Sequence, residues 1–133
     1  MTVREPSIYI ASKTKHAALW REYKASDVPI NSTWIFEAEA GQSADLADLA
    51  MRCITEATAA SALVLYCRPG ETLKGALIEV GAALAACVPI YCVGECEGIS
   101  SVFRKHPLWN DCPDIEAAFD AALNVATITV VRG

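Results

Sequence analysis

Residues 62–93, ALVLYCRPGETLKGALIEVGAALAACVPIYCV, decide the fold. Ala62 to Cys67 is an unbroken apolar run, the pattern of a strand covered on both faces. Arg68-Pro69-Gly70-Glu71 breaks it. Thr72 to Ala86 then carries helical spacing, with Leu73, Leu77, Val80, Leu84 and Cys87 on one stripe. Pro89 to Val93 is a second apolar strand, closed by Gly94. Buried strand, helix and buried strand in succession make a βαβ unit, which closes a parallel pair through a right-handed crossover.

The same alternation extends in both directions. Ser7 to Ala11 reads as a first strand that delivers Ser12 to a loop, and Lys15 to Lys24 as a helix. Ile30 to Phe36, with Thr33, Trp34 and Ile35 inside it, reads as another strand. Ser43 is a good N-cap for a helix from Ala44 to about Ala60. After Gly94, a short helix over Ser100 to Lys105 leads to His106-Pro107-Leu108-Trp109. Pro113 to Leu123 is amphipathic, and Ala126 to Val131 reads as a last edge strand. The expectation is one α/β domain over residues 1–133, Rossmann-like or flavodoxin-like, with a mostly parallel five-stranded sheet flanked by helices. The loops after Ala11, Phe36, Cys67 and Val93 then share one rim, where such sheets bind ligands.

Composition narrows the partners. Of the 133 residues, 53% are hydrophobic and 20% charged, with a net charge of −5. Without a lysine or arginine run, nucleic-acid binding is not expected. Met1 to Ser7 is too polar for a signal peptide, and the apolar stretches fall short of the roughly 20 residues that span a bilayer. A cytoplasmic protein with no membrane partner is therefore expected. The 6 cysteines form no C-x-x-C pair, and Cys92 and Cys96 are only a weak metal signal. Neither a metal nor a cofactor is expected.

Along one side of the Thr72–Ala86 helix lie Thr72, Gly75, Ala76, Glu79, Ala82, Ala83 and Ala86. Such a stripe admits a close approach by backbone or a flat ligand, with one carboxylate projecting into the gap. Spacing alone leaves Glu79 open between a solvated helix residue and a functional group.

Tyr9-Ile-Ala-Ser12, the strand Leu63-Val-Leu-Tyr66, and above all the G-x-x-x-E-x-G-x-A pattern of Gly75, Glu79, Gly81 and Ala83, followed by Pro89, resemble the nucleoside 2-deoxyribosyltransferase family over roughly residues 7–93. The resemblance implies N-glycosidic chemistry on a small-molecule nucleoside or its 5′-monophosphate. Glu79 becomes the catalytic nucleophile that holds the sugar covalently until a base or water arrives. It places Tyr9 and Ser12 at the sugar, and Lys74 and Gly75 at the start of the motif helix; Trp34, at a strand end on the rim, reads either as a stacking partner for the base or as a packing residue. It also implies a homo-oligomer, because family sites borrow residues from a neighbouring subunit.

Two positions depart from the family pattern. Ser61 stands where an aspartate is expected before the central strand, and Lys74 where an acidic residue precedes the motif glycine. Another group must then protonate the leaving base: Asp45, Asp48, Glu71 or a neighbouring subunit. His106 reads either as a general acid or as a turn residue. Lys74 reads as a phosphate contact, a partner of Glu79, or a solvated lysine. A non-catalytic nucleotide-binding or nucleotide-sensing module is the alternative function. A structural subunit associating through residues 126–131 and exposed tryptophans is a third.

Overall fold

The computed structural model describes residues 5–37, 45–96 and 98–132, with side chains through residue 125 in the last segment. Four parallel strands, β1 (Ile8–Ala11), β2 (Ala62–Tyr66), β3 (Ile90–Val93) and β4 (Trp109–Cys112), pair in the order β1-β2-β3-β4. The helices are α1 (Ala17–Ala25), α2 (Leu46–Ala59), α3 (Gly75–Ala85), α4 (Ser101–Arg104) and α5 (Ile115–Arg132). This is the expected α/β architecture, with four strands in place of five.

The register explains the layers. Tyr9 pairs with Leu63 and Ala11 with Leu65, while Leu65 pairs with Cys92. These side chains share the face covered by α2 and α3. The alternate residues, among them Tyr66, meet α1 and α5, where Trp20 packs edge-on against Tyr66 and Phe119. β1, β2 and β3 are buried throughout or nearly so, which is why their sequence shows no polar alternation. Burying each of these leucines and isoleucines contributes about 1.5–3 kcal/mol, so most of the stability resides in this sheet.

Three of the expected elements are corrected. Ile30 makes a single parallel bridge to Ile8, and Thr33–Phe36 is a 3₁₀ turn rather than a strand. Side chains replace the missing ladder. Ile10 N donates to Ser32 Oγ at 2.7 Å, and Trp34 Nε1 donates to Ile10 O at 2.9 Å. Counting Ile30 as the vestige of a strand outside β1, the chain steps one way from β1 and returns to the other side at β2. The expected edge strand over Ala126–Val131 is instead the continuation of α5, its side chains outside those described. β4 falls on residues read as the end of a loop. Its Asn110 and Asp111 face solvent, as an edge strand allows.

The helix core stripes also shift in detail. In and before α3, Leu73, Ala76, Val80 and Ala83 are buried, whereas Cys87 is exposed. Trp20, Trp34 and Trp109 are all buried, so no tryptophan is available for surface association. Gly81 sits within α3, and an added Cβ would meet nothing within 4 Å. Glycine there costs about 1 kcal/mol relative to alanine, and no described residue requires it.

Candidate functional site

With the Ile30 bridge counted outside β1, the reversal of strand order falls between β1 and β2, and α/β sheets form ligand crevices at the carboxyl ends of such strands. A cavity of about 340 Å³ opens there, lined among others by Ser12, Lys13, Trp34, Leu49, Cys53, Leu73, Lys74, Gly75 and Glu79. That volume is at the small-ligand end of the range for binding pockets. Five of the six residues singled out from sequence line it, and the sixth, Tyr9, lies buried alongside.

Glu79 is the electrostatic centre of this cavity. Burial pushes its carboxyl from 4.5 up to about 7, the Tyr9 hydroxyl pulls it back, and Glu56 adds to the rise. Tyr9 is 0% exposed, and its hydroxyl is buried without a formed hydrogen bond among the described residues. Burial raises the Tyr9 hydroxyl strongly, with Glu79 and then Cys53 adding to the shift. The hydroxyl is thus a neutral donor close enough to favour the Glu79 carboxylate, though no bond of full geometry joins them. Tyr9→Phe should raise the Glu79 pKa by about 0.5–1 unit, the equivalent of one hydrogen bond of roughly 1 kcal/mol. Carbon NMR of the Glu79 carboxyl against pH measures it; an unchanged midpoint would show that the hydroxyl does not act on Glu79.

Cys53 on α2 is, with Lys13, a lining residue that the sequence did not single out. Burial raises its thiol, Tyr9 lowers it, and Glu79 raises it again. A cysteine on the inward stripe of an amphipathic helix reads as a small core residue, and only the proximity of Tyr9 and Glu79 marks it. Ser12 and Trp34 are engaged within the chain. Ser12 Oγ accepts from Trp20 Nε1 at 2.9 Å and donates to Lys13 O at 3.0 Å. Trp34 is held by its bond to Ile10 O, so it forms a fixed wall of the cavity. Lys74 N-caps α3 through its backbone alone, and its side chain is exposed. No Lys74–Glu79 ion pair forms among the described residues. Gly75, the first residue of α3, faces open space where a Cβ would stand. No described residue makes a close approach there.

The three donors expected within the chain, Asp45, Asp48 and Glu71, are engaged elsewhere. Asp45 caps α2 by accepting from Asp48 N, and Asp48 pairs with Arg52 at 2.8 Å. Glu71, 8% exposed, accepts from Arg68 N at 2.8 Å and contacts His16 Nε2 at 2.8 Å and Lys15 Nζ at 3.2 Å. Burial pushes the Glu71 carboxyl up, but the Arg68 amide, His16 and Lys15 outweigh it and hold it at about 2. Glu71 therefore clamps the loop after β2 onto the turn after β1, fixing the two walls of the crevice. Because its pKa is depressed, its contribution is complete above about 4.5 and is lost as pH falls toward about 2. Glu71→Gln should cost about 1–2 kcal/mol at pH 7. Thermal melts should show the gap closing on acidification, and a pH-independent gap would contradict this account.

Ser61 is not at the site. It lies at the opposite end of the sheet, where Ser7 N donates to Ser61 Oγ at 2.9 Å and Ser61 Oγ donates to Ser7 O at 2.8 Å. An acid at that position would not reach the cavity. His106 is a turn residue: its Nδ1 accepts from Leu108 N at 3.0 Å, and it borders a separate groove between α3 and α4.

Among the described residues, no cluster of three or more histidine, cysteine or acidic side chains is arranged to hold a metal, and no helix is long and apolar enough to cross a membrane. The fold and the cavity define an α/β protein with a parallel sheet and, among the described residues, one half-buried carboxylate lining the crevice where its strand order reverses. No family model matches the chain, and no curated protein matches it. Among solved structures it is similar to a Clostridium botulinum CMP N-glycosidase, BcmB, with 15% identity and a TM-score of 0.49 over 92% of this chain and 98% of that one.

Proposed function

We propose that this chain cleaves or transfers the N-glycosidic bond of a nucleoside or nucleoside 5′-monophosphate, with Glu79 as nucleophile. The observation that carries the reading is the Glu79 carboxyl, raised to about 7 in a cavity at the crevice beside a buried tyrosine hydroxyl that has no formed hydrogen bond among the described residues. The resemblance of residues 7–93 to the nucleoside 2-deoxyribosyltransferase family supports the same assignment.

In the first step a Glu79 oxygen bonds to the anomeric carbon as the carbon–nitrogen bond breaks, its electron pair leaving with the base. The base takes a proton from solvent, since Asp45, Asp48 and Glu71 are engaged elsewhere. In the second step water or another base attacks the same carbon and frees Glu79. Desolvation disfavours the charged carboxylate in the free protein and is relieved when the charge is lost on bonding to the sugar. Trp34 offers a fixed flat wall to the base, and Lys13 and Lys74 stand at the mouth for a 5′-phosphate.

Incubation with ribo- and deoxyribonucleosides and their monophosphates, followed by chromatography for free base, tests the reading. Absence of release across the panel would refute it. The engaged state of Asp45, Asp48 and Glu71 favours a second reading, a nucleotide-binding module without turnover. Thermal shift with the same compounds separates the two, since stabilisation without base release supports binding alone.

A further inference from the structure

Three of the 6 cysteines gather at the carboxyl ends of the two central strands. Cys92 lies in β3, Cys67 directly follows β2, and Cys96 follows β3 beyond the turn at Gly94. All three are buried, none more than 3% exposed. The bond from Cys67 N to Val93 O at 3.0 Å holds the two strand ends together. The Cys96 thiol is in hydrogen-bond contact with Cys92 on one side and Cys67 on the other. Cys67 is also tied to the preceding loop, its thiol donating to Glu71 O at 3.5 Å. Packing alone does not call for sulfur at these places, since a buried cysteine fills space as any small apolar residue does.

We propose that Cys92 and Cys96 are a dithiol modification site, closed to a disulfide by peroxide and reopened by thiols. Gly94, at φ +97°, turns the chain between them and returns Cys96 to Cys92. A Cβ on Gly98 would stand 3.5 Å from Leu77 Cδ1 and 3.8 Å from Leu73 O, so this loop runs along the start of α3. The disulfide would therefore tie the end of β3 to the loop beside α3. The surroundings also distinguish nucleophile from partner. The hydrogen bond from Cys96 lowers the Cys92 thiol, burial opposes it, and Arg104 assists. Cys96 is raised by its bond to Cys92 and then by burial, so it keeps its proton.

The thiolate is the form that attacks peroxide. Cys92 sulfur bonds to one peroxide oxygen as the oxygen–oxygen bond breaks, and the departing hydroxide leaves as water with the proton that Cys92 gave up. Cys96 sulfur then attacks the Cys92 sulfenic acid, the sulfur–oxygen bond breaks, and the hydroxyl leaves as water with the Cys96 proton. Two thiols are oxidised by two electrons, and one peroxide is reduced to two waters. Gly94, Glu95 and Gly98 around Cys96 are exposed, so the pair lies directly beneath the rim. The Cys96 carbonyl is held by Ile99 N at 3.1 Å and Arg104 Nη2 at 3.3 Å. Parting those bonds admits a molecule little larger than water.

The test treats the native folded chain with one equivalent of hydrogen peroxide, then alkylates it in denaturant and cleaves it at glutamate. Cleavage after Glu79, Glu95 and Glu97 puts Cys92 in fragment 80–95 and Cys96 in fragment 96–97. Mass spectrometry should find these two fragments joined through Cys92, with two fewer alkylated cysteines, and separate again after dithiothreitol. Amide exchange at Glu95, Cys96, Gly98 and Ile99 should slow about tenfold or more in the oxidised chain. Cys96→Ser should leave Cys92 as a sulfenic acid that a cyclic dione traps. Reaction confined to Cys53, Cys87 or Cys112 overturns the proposal, as does a link in which Cys67 replaces either partner. A link that forms only in urea also overturns it, because the fold would then not present the pair. Unchanged amide exchange in the linked chain overturns the tie to the loop. These readouts concern sulfur and the loop, so they stand whether or not the protein releases base.

Discussion

On the function proposed above, Glu79→Gln is expected to lower base release by about 10³-fold or more, because the amide cannot form the bond to the anomeric carbon that the carboxylate forms. The native rate at limiting substrate should rise about tenfold per pH unit below pH 7 and level off above it, since only the ionised carboxylate attacks and its pKa is about 7. A variant retaining native activity, or a flat profile between pH 5 and 8, would remove Glu79 from the chemistry. The same substitution has a second, independent signature. A carboxyl raised from 4.5 to about 7 by burial favours the folded state while protonated, and that contribution is lost as pH rises through about 7. Glu79→Gln should therefore match the native stability near pH 4.5 and exceed it at pH 8 by about 1–2 kcal/mol, allowing for the partial exposure of the side chain. Urea denaturation at the two pH values measures the difference. A residue that loses activity and gains stability on substitution is one whose strain serves a site.

The parts of this molecule that were legible in the sequence are those whose burial leaves a pattern. The β2–α3–β3 unit is covered on both faces, so its strands appear as apolar runs, and the helical register carries Glu79 to the crevice without further information. The sequence pattern departs from the structure where side chains do the work of backbone. Ile30–Phe36 has the composition of a strand, yet Ser32 Oγ and Trp34 Nε1 satisfy the outer edge of Ile10. A hydroxyl and an indole in place of a ladder leave the same apolar residues behind. β4 leaves no strand pattern for the opposite reason, since Asn110 and Asp111 are poor strand formers tolerated at an exposed edge. Residues 126–131 are rich in β-branched side chains, but they follow an established helix, and extending a helix is easier than starting one. At the site, the roles of Glu71 and Ser61 depended on which end of the sheet each loop occupies. Sequence spacing alone did not fix that.

Gly94→Ala carries the largest structural effect expected. Gly94 closes β3 at φ +97°, and a Cβ there would stand 1.9 Å from Cys67 O. The obstructing atom is backbone, held because Cys67 N donates to Val93 O at 3.0 Å. Relief would require parting the carboxyl ends of β2 and β3, immediately before the loop that Glu71 clamps. Adding the left-handed backbone strain to the overlap gives a loss of about 3 kcal/mol or more, a large part of the 5–15 kcal/mol that holds an ordinary domain together. Gly70 supplies the control. It also has positive φ, +84°, but a Cβ there meets nothing within 4 Å, so Gly70→Ala should cost only about 1 kcal/mol. Thermal or urea unfolding of the two variants side by side distinguishes strain from collision. Equal losses would mean that the β3 end yields, and that the crevice walls are not fixed by the approach of Gly94 to Cys67. A loss confined to Gly94→Ala would instead identify that approach as the constraint joining the two strands whose ends carry the loops around the crevice.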